Sequence, residues 1–396
     1  MPRVPAARPD AIRRHNLGLL LSQVHRDGEL TRAELTSRLN LSRSTIGAVV
    51  ADLTELGILD ERVPNGGDRA GRPSHVVGPR PDGPNAFAVD VDITHVTAAA
   101  VGIGGHVFAR QEVATYPYPS SASSIARHVI DAVHALGAQV GNGTWPVGIG
   151  VSIPGTVDRH NGTVEFAPNL NWRHEPFGTM LAALAPAGLP VIIGNDADLA
   201  VVAEHQHGSA RDCDDVVFLM GRIGVGAGII VNGLPLRGHD GHAGEVGHNV
   251  VDASGPKCHC GKRGCVETYV GEVALLRLAG RRGTPTPALV ASVFADARAG
   301  DERAAAAVRT VAESLGRAVS SLVNVLNPER VILGGSFAGV FDFAPDEVRR
   351  SLDRHAMGVS RNAVQLCTPS LGDDSSLRGA AELAFTRLLA DPLIPR

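Results

Sequence analysis

Residues 258–267 read CHCGKRGCVE, which places three of the chain's five cysteines within eight positions, with glycines between them. No other stretch constrains the backbone as tightly. Three thiols this close bind a metal, form a redox centre or sit as plain buried thiols. Gly261 and Gly264 let the chain wrap closely around whatever they hold. The spacing is not C-x-x-C, which disfavours a redox pair, and a DNA-reading finger would need two ligand pairs and a helix of its own. Zinc takes four soft or borderline ligands at the corners of a tetrahedron, and Cys258, Cys260 and Cys265 supply three. His259 and His248 are candidates for the fourth. His259 lies between two ligands on the chain and would have to turn back through a very short chelate. A site closed by four protein ligands has no open position, so its metal is structural.

A chain of 396 residues holds two or three domains, and 44% hydrophobic with 20% charged residues is a folded composition rather than a disordered one. The net charge of −4 gives no global case for nucleic acid. Its distribution does: residues 1–80 hold twelve arginines against nine acidic residues, a balance of +3, which leaves the remainder at −7. A basic front on an acidic body points to a DNA-reading head. No apolar run approaches the roughly 18–20 residues that span a bilayer. The N-terminal MPRVPAARPDAIRRHN lacks the apolar core of a signal peptide. A cytoplasmic protein without a membrane partner is expected, and there an odd number of cysteines means metal or free thiols.

The front has the pattern of a winged helix. Leu17, Leu20, Leu21 and Val24 recur at helical spacing within 12–24. Thr31 and Glu34 match a capping box at the start of a second helix, and Ser42 is a good N-cap for a third, which carries Ile46, Val49, Val50 and Leu53 on one face. The turn between the two, Asn40-Leu41, completes a helix-turn-helix. Ser42, Arg43, Ser44 and Thr45 then lie in the first turn of the recognition helix, where short donors and an arginine meet bases and phosphates. GILDE, NGGDRAGRP and HVV read as strand, turn and strand, a wing with Arg69 and Arg72 near its tip. Residues 1–80 form this head, 81–85 a linker, and 86–396 the body.

In the body, strand-like runs at 87–110, 147–158, 214–233 and 330–337, and a strand, loop and helix over 189–205, alternate with helical stretches, and several strands end in glycine-rich loops. Alternation of this kind gives α/β layers with a ligand at the strand ends. The stretch 238–267, GHDGHAGEVGHNVVDASGPKCHCGKRGCVE, contains AGE-x-GH followed by C-x-C-G-x-x-G-C-x-E. With it the chain resembles, over essentially its whole length, the regulator branch of the ROK family (repressor, open reading frame, kinase). The resemblance implies an actin/hexokinase-like body of two lobes, roughly 86–195 plus the C-terminal segment and 196–370, around a sugar cleft. It implies sugar contacts from Asn169, Asn195, Asp196, Glu245, His248 and Glu267, with Asp196 matching the general base of the kinases. It also selects His248 as the fourth ligand beside Cys258, Cys260 and Cys265.

Two loops depart from the kinase pattern. The first phosphate loop, D-x-G-x-T in the kinases, reads Asp90-Val91-Asp92-Ile93-Thr94. A carboxylate about 4 Å from a phosphate charge costs about 4 kcal/mol at an effective dielectric near 20. The second, G-T-G-x-G-x-G, begins Arg222-Ile223 and so lacks its first glycine and its hydroxyl. The expectation is therefore a regulator, with no catalytic residue, structural zinc and no ATP or Mg²⁺. A homodimer or dimer of dimers would read operator DNA and respond to a sugar or sugar phosphate. An ATP-dependent sugar kinase, or a kinase that also regulates, is the alternative.

Overall fold

The computed structural model describes residues 9–63, 74–115, 120–141 and 143–394. The head begins with α1 (Pro9–Asp27), whose four periodic residues Leu17, Leu20, Leu21 and Val24 are fully buried. After the short β1 (Leu30–Thr31), α2 (Arg32–Leu39) starts with the expected capping box. The Thr31 hydroxyl accepts from the Glu34 N–H at 3.1 Å, and the Glu34 carboxylate accepts from the Thr31 N–H at 2.7 Å. Asn40 takes a left-handed conformation, and Ser42 caps α3 (Arg43–Glu55) by accepting from the Thr45 N–H. The strands β2 (Leu59–Arg62) and β3 (Val76–Pro79) join β1 in an antiparallel sheet of order β1-β3-β2. Arg69 and Arg72 lie outside the described residues.

The first lobe contains β4 (Pro84–Val91), β5 (His95–Gly102), β6 (Val107–Ala114), α4 (Ala122–Gln139) and β7 (Trp145–Ile153). The small strands β8 (Thr156–Val157), β9 (Val164–Ala167) and β10 (Trp172–Glu175) form a separate sheet, followed by α5 (Phe177–Leu184), β11 (Val191–Asn195) and α6 (Asp196–His207). The main sheet has order β11-β7-β4-β5-β6; its hairpins are antiparallel, and β4, β7 and β11 run parallel.

The second lobe repeats this plan. It comprises β12 (Val216–Gly221), β13 (Val225–Val231), β14 (Leu234–Pro235), α7 (Glu267–Val270), α8 (Glu272–Leu278), α9 (Pro287–Arg298), α10 (Glu302–Leu326), β15 (Arg330–Gly335), α11 (Ser336–Phe343), α12 (Pro345–His355), α13 (Gly358–Ala363) and β16 (Gln365–Cys367). Its sheet has order β14-β13-β12-β15-β16, again an antiparallel hairpin beside parallel strands. The chain then returns as α14 (Ser375–Ala390) to pack on β4 and β7 of the first lobe and along α6.

The junction between head and body differs from the expected linker. Pro84 and Asn85, assigned to a linker by their turn-forming character, open β4 and are buried. A proline is tolerated at the first position of a strand because no ladder N–H is needed there. Arg80 and Asp82 pair across the four-residue turn that remains. The apolar core of the head also does not stop at the turn. Leu17, Leu21 and Val24 belong to one buried cluster with Ala86, Ala88 and Val101 of the sheet and Phe385 and Leu388 of α14. The head is thus seated on the body by a shared core.

That core is packed without slack where α14 crosses α6. A Cβ at Gly379 would lie 2.0 Å from the Leu199 carbonyl oxygen, so only glycine permits the approach. Gly379→Ala should destabilise the chain by about 1–3 kcal/mol. Thermal unfolding followed by circular dichroism reads this as a lower midpoint, and an unchanged midpoint would show that the two helices can part freely.

Candidate functional site

The cleft between the lobes is assembled from strand ends. Pro154, Gly155 and Thr156 follow β7, Asn169 lies in a helical turn after β9, and Asp196 starts α6. From the second lobe come the β12–β13 turn with Arg222, a short turn over Val246–His248, and Glu267 at the start of α7. All six residues expected to contact sugar (Asn169, Asn195, Asp196, Glu245, His248 and Glu267) line this one cavity. They arrive there from four separate segments.

Their availability differs. The amide of Asn169 has no partner among the described residues, and its Nδ2 points toward Gly224 beside Glu267. Asn195 is more committed: its Oδ1 accepts from the N–H groups of Ala197 and Asp198, and its Nδ2 donates to the Gly155 carbonyl at 3.0 Å. It caps α6 and ties it to the β7 loop, so its first role is to hold Asp196 in place. Asp196 is 7% exposed. Burial pushes its carboxyl up to about 6, against the pull of Arg222 and with the help of Asp90.

Arg222 is the residue whose role the sequence least reveals. It sits in the second lobe, yet its guanidinium reaches Asp92 at 3.2 Å and Asp90 at 3.4 Å in the first. Asp90 is held in turn by the Ser152 hydroxyl at 2.5 Å. The two departures from the kinase loops are therefore halves of one ion pair that bridges the cleft. Beyond it opens a second cavity of about 580 Å³, floored by Val290 and Phe294 and edged by Glu272, whose carboxyl burial raises to about 7. Asp198, one turn into α6, is another group the sequence did not single out. Burial, with Asp196 and Glu245 nearby, lifts it to about 7 against the opposing Arg237.

The cysteine segment folds beneath this cavity. The ligand atoms of His248, Cys258, Cys260 and Cys265 all lie within 4.8 Å of one another and could hold a metal ion. The Sγ atoms of Cys260 and Cys265 are 3.7 Å apart, and Cys258 Sγ is 3.6 Å from His248 Nδ1. Bonds of about 2.3 Å to sulfur and 2.0 Å to nitrogen in a tetrahedron require edges of about 3.8 and 3.5 Å. His248 turns its other nitrogen, Nε2, toward Glu245 at 3.7 Å. One imidazole can thus serve both metal and cleft, which reconciles its two expected roles. Glu267 likewise bridges the two, with Oε1 2.7 Å from Cys258 Sγ and Oε2 near Gly224. His259 is not in the cluster.

In the head, Ser42, Arg43 and Ser44 are exposed and Thr45 is half-buried. Ser42 is used as the cap and also bonds the hydroxyls of Ser44 and Thr45. Arg13, Arg14, Arg26, Arg32, Arg38, Arg62 and Arg80 each pair with a carboxylate. Arg43 alone among the described arginines of the head has no acidic partner. No helix among the described residues is long and apolar enough to cross a membrane.

The raised Asp196 has a consequence for stability. A carboxyl whose pKa is higher folded than unfolded takes up a proton on folding, so it costs stability as pH rises through about 4 to 6. Asp196→Asn removes that cost. Relative to wild type, the sugar-free variant should gain on the order of 1–3 kcal/mol at pH 8 and little at pH 4. Paired thermal melts across this range check it, and a gain independent of pH would reject it.

The ROK family model matches residues 86–387, and the MarR family model matches residues 18–71 of the head. The chain is 33% identical to a glucokinase of Streptomyces coelicolor over 75% of its own length and 96% of the relative's. It is 26% identical to the xylose repressor of Bacillus subtilis over 96% of its own length and 97% of the relative's. Among solved structures, a ROK family transcriptional regulator described as a homolog of the E. coli MLC protein superposes with a TM-score of 0.77 at 23% identity, covering 96% of this chain and 98% of that one. A ROK family glucokinase from Streptomyces griseus, solved with glucose and AMPPNP, gives 0.65 at 32% identity over 76% of this chain and 98% of that one. Matched across the two-lobed body and its cleft, this chain belongs to the ROK family.

Proposed function

We infer that the protein is a sugar-responsive DNA-binding repressor. The observation that carries this is a winged helix sharing one apolar core with a body whose cleft pairs a cavity lined by amides and carboxylates with a loop region closed by the Arg222, Asp90 and Asp92 ion pair. The repressor relatives cover both head and body, whereas the glucokinase from Streptomyces coelicolor covers 75% of the chain. Arg43 is free to meet phosphate or a base edge at the N-terminus of the recognition helix. A dimer of such chains would present two recognition helices about 34 Å apart, or a multiple of it, to adjacent major grooves.

Asn169, Asp196, Glu245 and Glu267 offer the mix of amide and carboxylate groups that sugar hydroxyls need. The charges favour an unphosphorylated sugar. A phosphate in this cavity would meet Asp196 and Glu267, and the neighbouring Arg222 guanidinium is already held by Asp90 and Asp92. The same ion pair weighs against ATP. The kinase reading rests on Asp196 and on the glucokinase relatives, and it requires Arg222 to leave Asp90 and Asp92 before a nucleotide phosphate can enter. Zinc is the metal that suits three thiolates and an imidazole at these distances. It would fix the segment that carries Glu245, His248 and Glu267.

A thermal-shift panel tests the ligand. D-glucose or D-xylose should raise the melting temperature, while their phosphate esters and Mg-AMPPNP should not. DNA selected from a random pool by the purified chain should then bind with an affinity that the same sugar changes. If no sugar alters that affinity, the repressor reading is lost; sugar-dependent ADP formation abolished by Asp196→Asn would establish the kinase instead. Cys260→Ser should lose bound zinc by elemental analysis and lower the sugar's thermal shift, while sugar-free binding to the selected DNA persists. Full zinc occupancy in that variant would remove the proposed ligand set.

A further inference from the structure

A second polar cluster lies far along the chain from the cysteine segment and is assigned no role by the sugar site. His25 of α1, His207 at the end of α6 and Glu382 of α14 meet in the interior. The Nε2 of His25 is 2.9 and 3.0 Å from the two oxygens of Glu382, and the Nε2 of His207 is 2.9 Å from Oε1. His25 is 2% exposed and Glu382 8%. Burial alone would raise the Glu382 carboxyl, but the two imidazoles hold it well below the usual carboxylate range, so it is an anion.

Two histidines and a carboxylate at this spacing resemble a metal site, but His25 argues against one. Its Nδ1 accepts a hydrogen bond from the Gly104 N–H at 3.0 Å. That nitrogen is therefore bare, and the neutral ring carries its proton on Nε2, the atom facing Glu382. A ligating histidine has the opposite arrangement, donating from the nitrogen that the metal does not use. The cluster is a hydrogen-bonded one, with both rings donating to a single buried carboxylate.

Its position gives it a role. The N-terminus of α6 carries Asn195 and Asp196 into the sugar cavity, and its last residue is His207, about 18 Å away along the helix axis. At that far end α6 meets the head. Arg26 pairs with Asp212 just beyond α6, and Asp27 with Arg211. Between them, α14 approaches α6 at Gly379 and α1 at Gly18, where an added Cβ would lie 2.0 and 2.8 Å from backbone oxygens. A displacement of α6 therefore has little slack in which to dissipate before it reaches α1.

We propose that His25, Glu382 and His207 form the joint through which ligand binding at the N-terminal end of α6, where Asp196 meets the cleft, repositions the DNA-reading domain. This rests on the sugar-responsive repressor reading, with α6 as the moving element and the triad as its attachment to α1. Three residues from three distant segments are needed because an apolar contact at this point would hold the helices together without fixing their relative rotation.

The test uses the full chain, DNA selected from a random pool, and D-glucose or D-xylose, whichever stabilises the wild type. His25→Phe and His207→Leu are compared with wild type for sugar affinity by calorimetry and for DNA affinity with and without sugar. Sugar affinity should stay within about threefold of wild type, while the ratio of DNA affinities falls from the roughly 5–150-fold of ordinary coupling to about one. His207→Leu removes the second donor to Glu382 at a partly exposed position and guards against a His25→Phe chain that fails to fold. If folded variants retain the wild-type ratio while wild type responds, the joint is wrong and the repressor reading stands. A wild type whose DNA binding neither sugar alters overturns both. Zinc binding to Cys260→Ser that disappears when His25→Phe is added would overturn the hydrogen-bonded joint in favour of a metal.

Discussion

Glu204 is fully buried inside α6, and its carboxylate accepts hydrogen bonds from the N–H and hydroxyl of Ser209, the N–H and hydroxyl of Ser370, the N–H of Leu371 and the hydroxyl of Ser375. An unpaired carboxylate at such a site would cost several kcal/mol, so these donors are a condition of the fold. They fasten the end of α6 to the segment that leads into α14. With α14 lying on the first sheet and α6 on the hairpin of the second, the helix pair fixes how the lobes meet. The cavity, the head and the C-terminal return of the chain are all referred to that pair.

Across the mouth of the cleft the lobes are joined differently. The Arg222 ion pair with Asp90 and Asp92 is partly buried and spans two bodies, so its geometry depends on the cleft angle. In a kinase this space belongs to the phosphates of a nucleotide. Here Arg222 supplies a cation and Asp90 and Asp92 two anions that join the lobes. A regulator needs such an internal substitute: its body must keep a defined shape in the absence of ligand if a ligand is to change that shape.

Much of this was legible in the sequence because it depends on local chemistry. The capping box at Thr31 and Glu34, the cap at Ser42 and the apolar stripe of α1 are short-range patterns, and each is found where spacing places it. The cysteine run was legible for the same reason, since glycines and thiols in one segment leave few alternatives. The linker was misjudged at Pro84 and Asn85 because turn-forming residues also start strands, and only the neighbouring strands decide which. Asn195 could be placed at the cavity from its motif, but not its cap, which uses most of its hydrogen-bonding capacity.

What the sequence determined by itself is therefore the set of parts: a winged helix, two α/β lobes, a cysteine-rich clasp and the polar residue types that line the cleft. What the tertiary structure alone decided is which parts touch. Arg222 and Asp92 are 130 residues apart, and His25 and Glu382 are separated by 357. Each had a plausible solitary meaning as a defective loop residue or an ordinary polar side chain. Pairing at such separations follows from how the sheets and helices stack, because burial removes water as the alternative partner and leaves a charged group only the neighbours that packing provides.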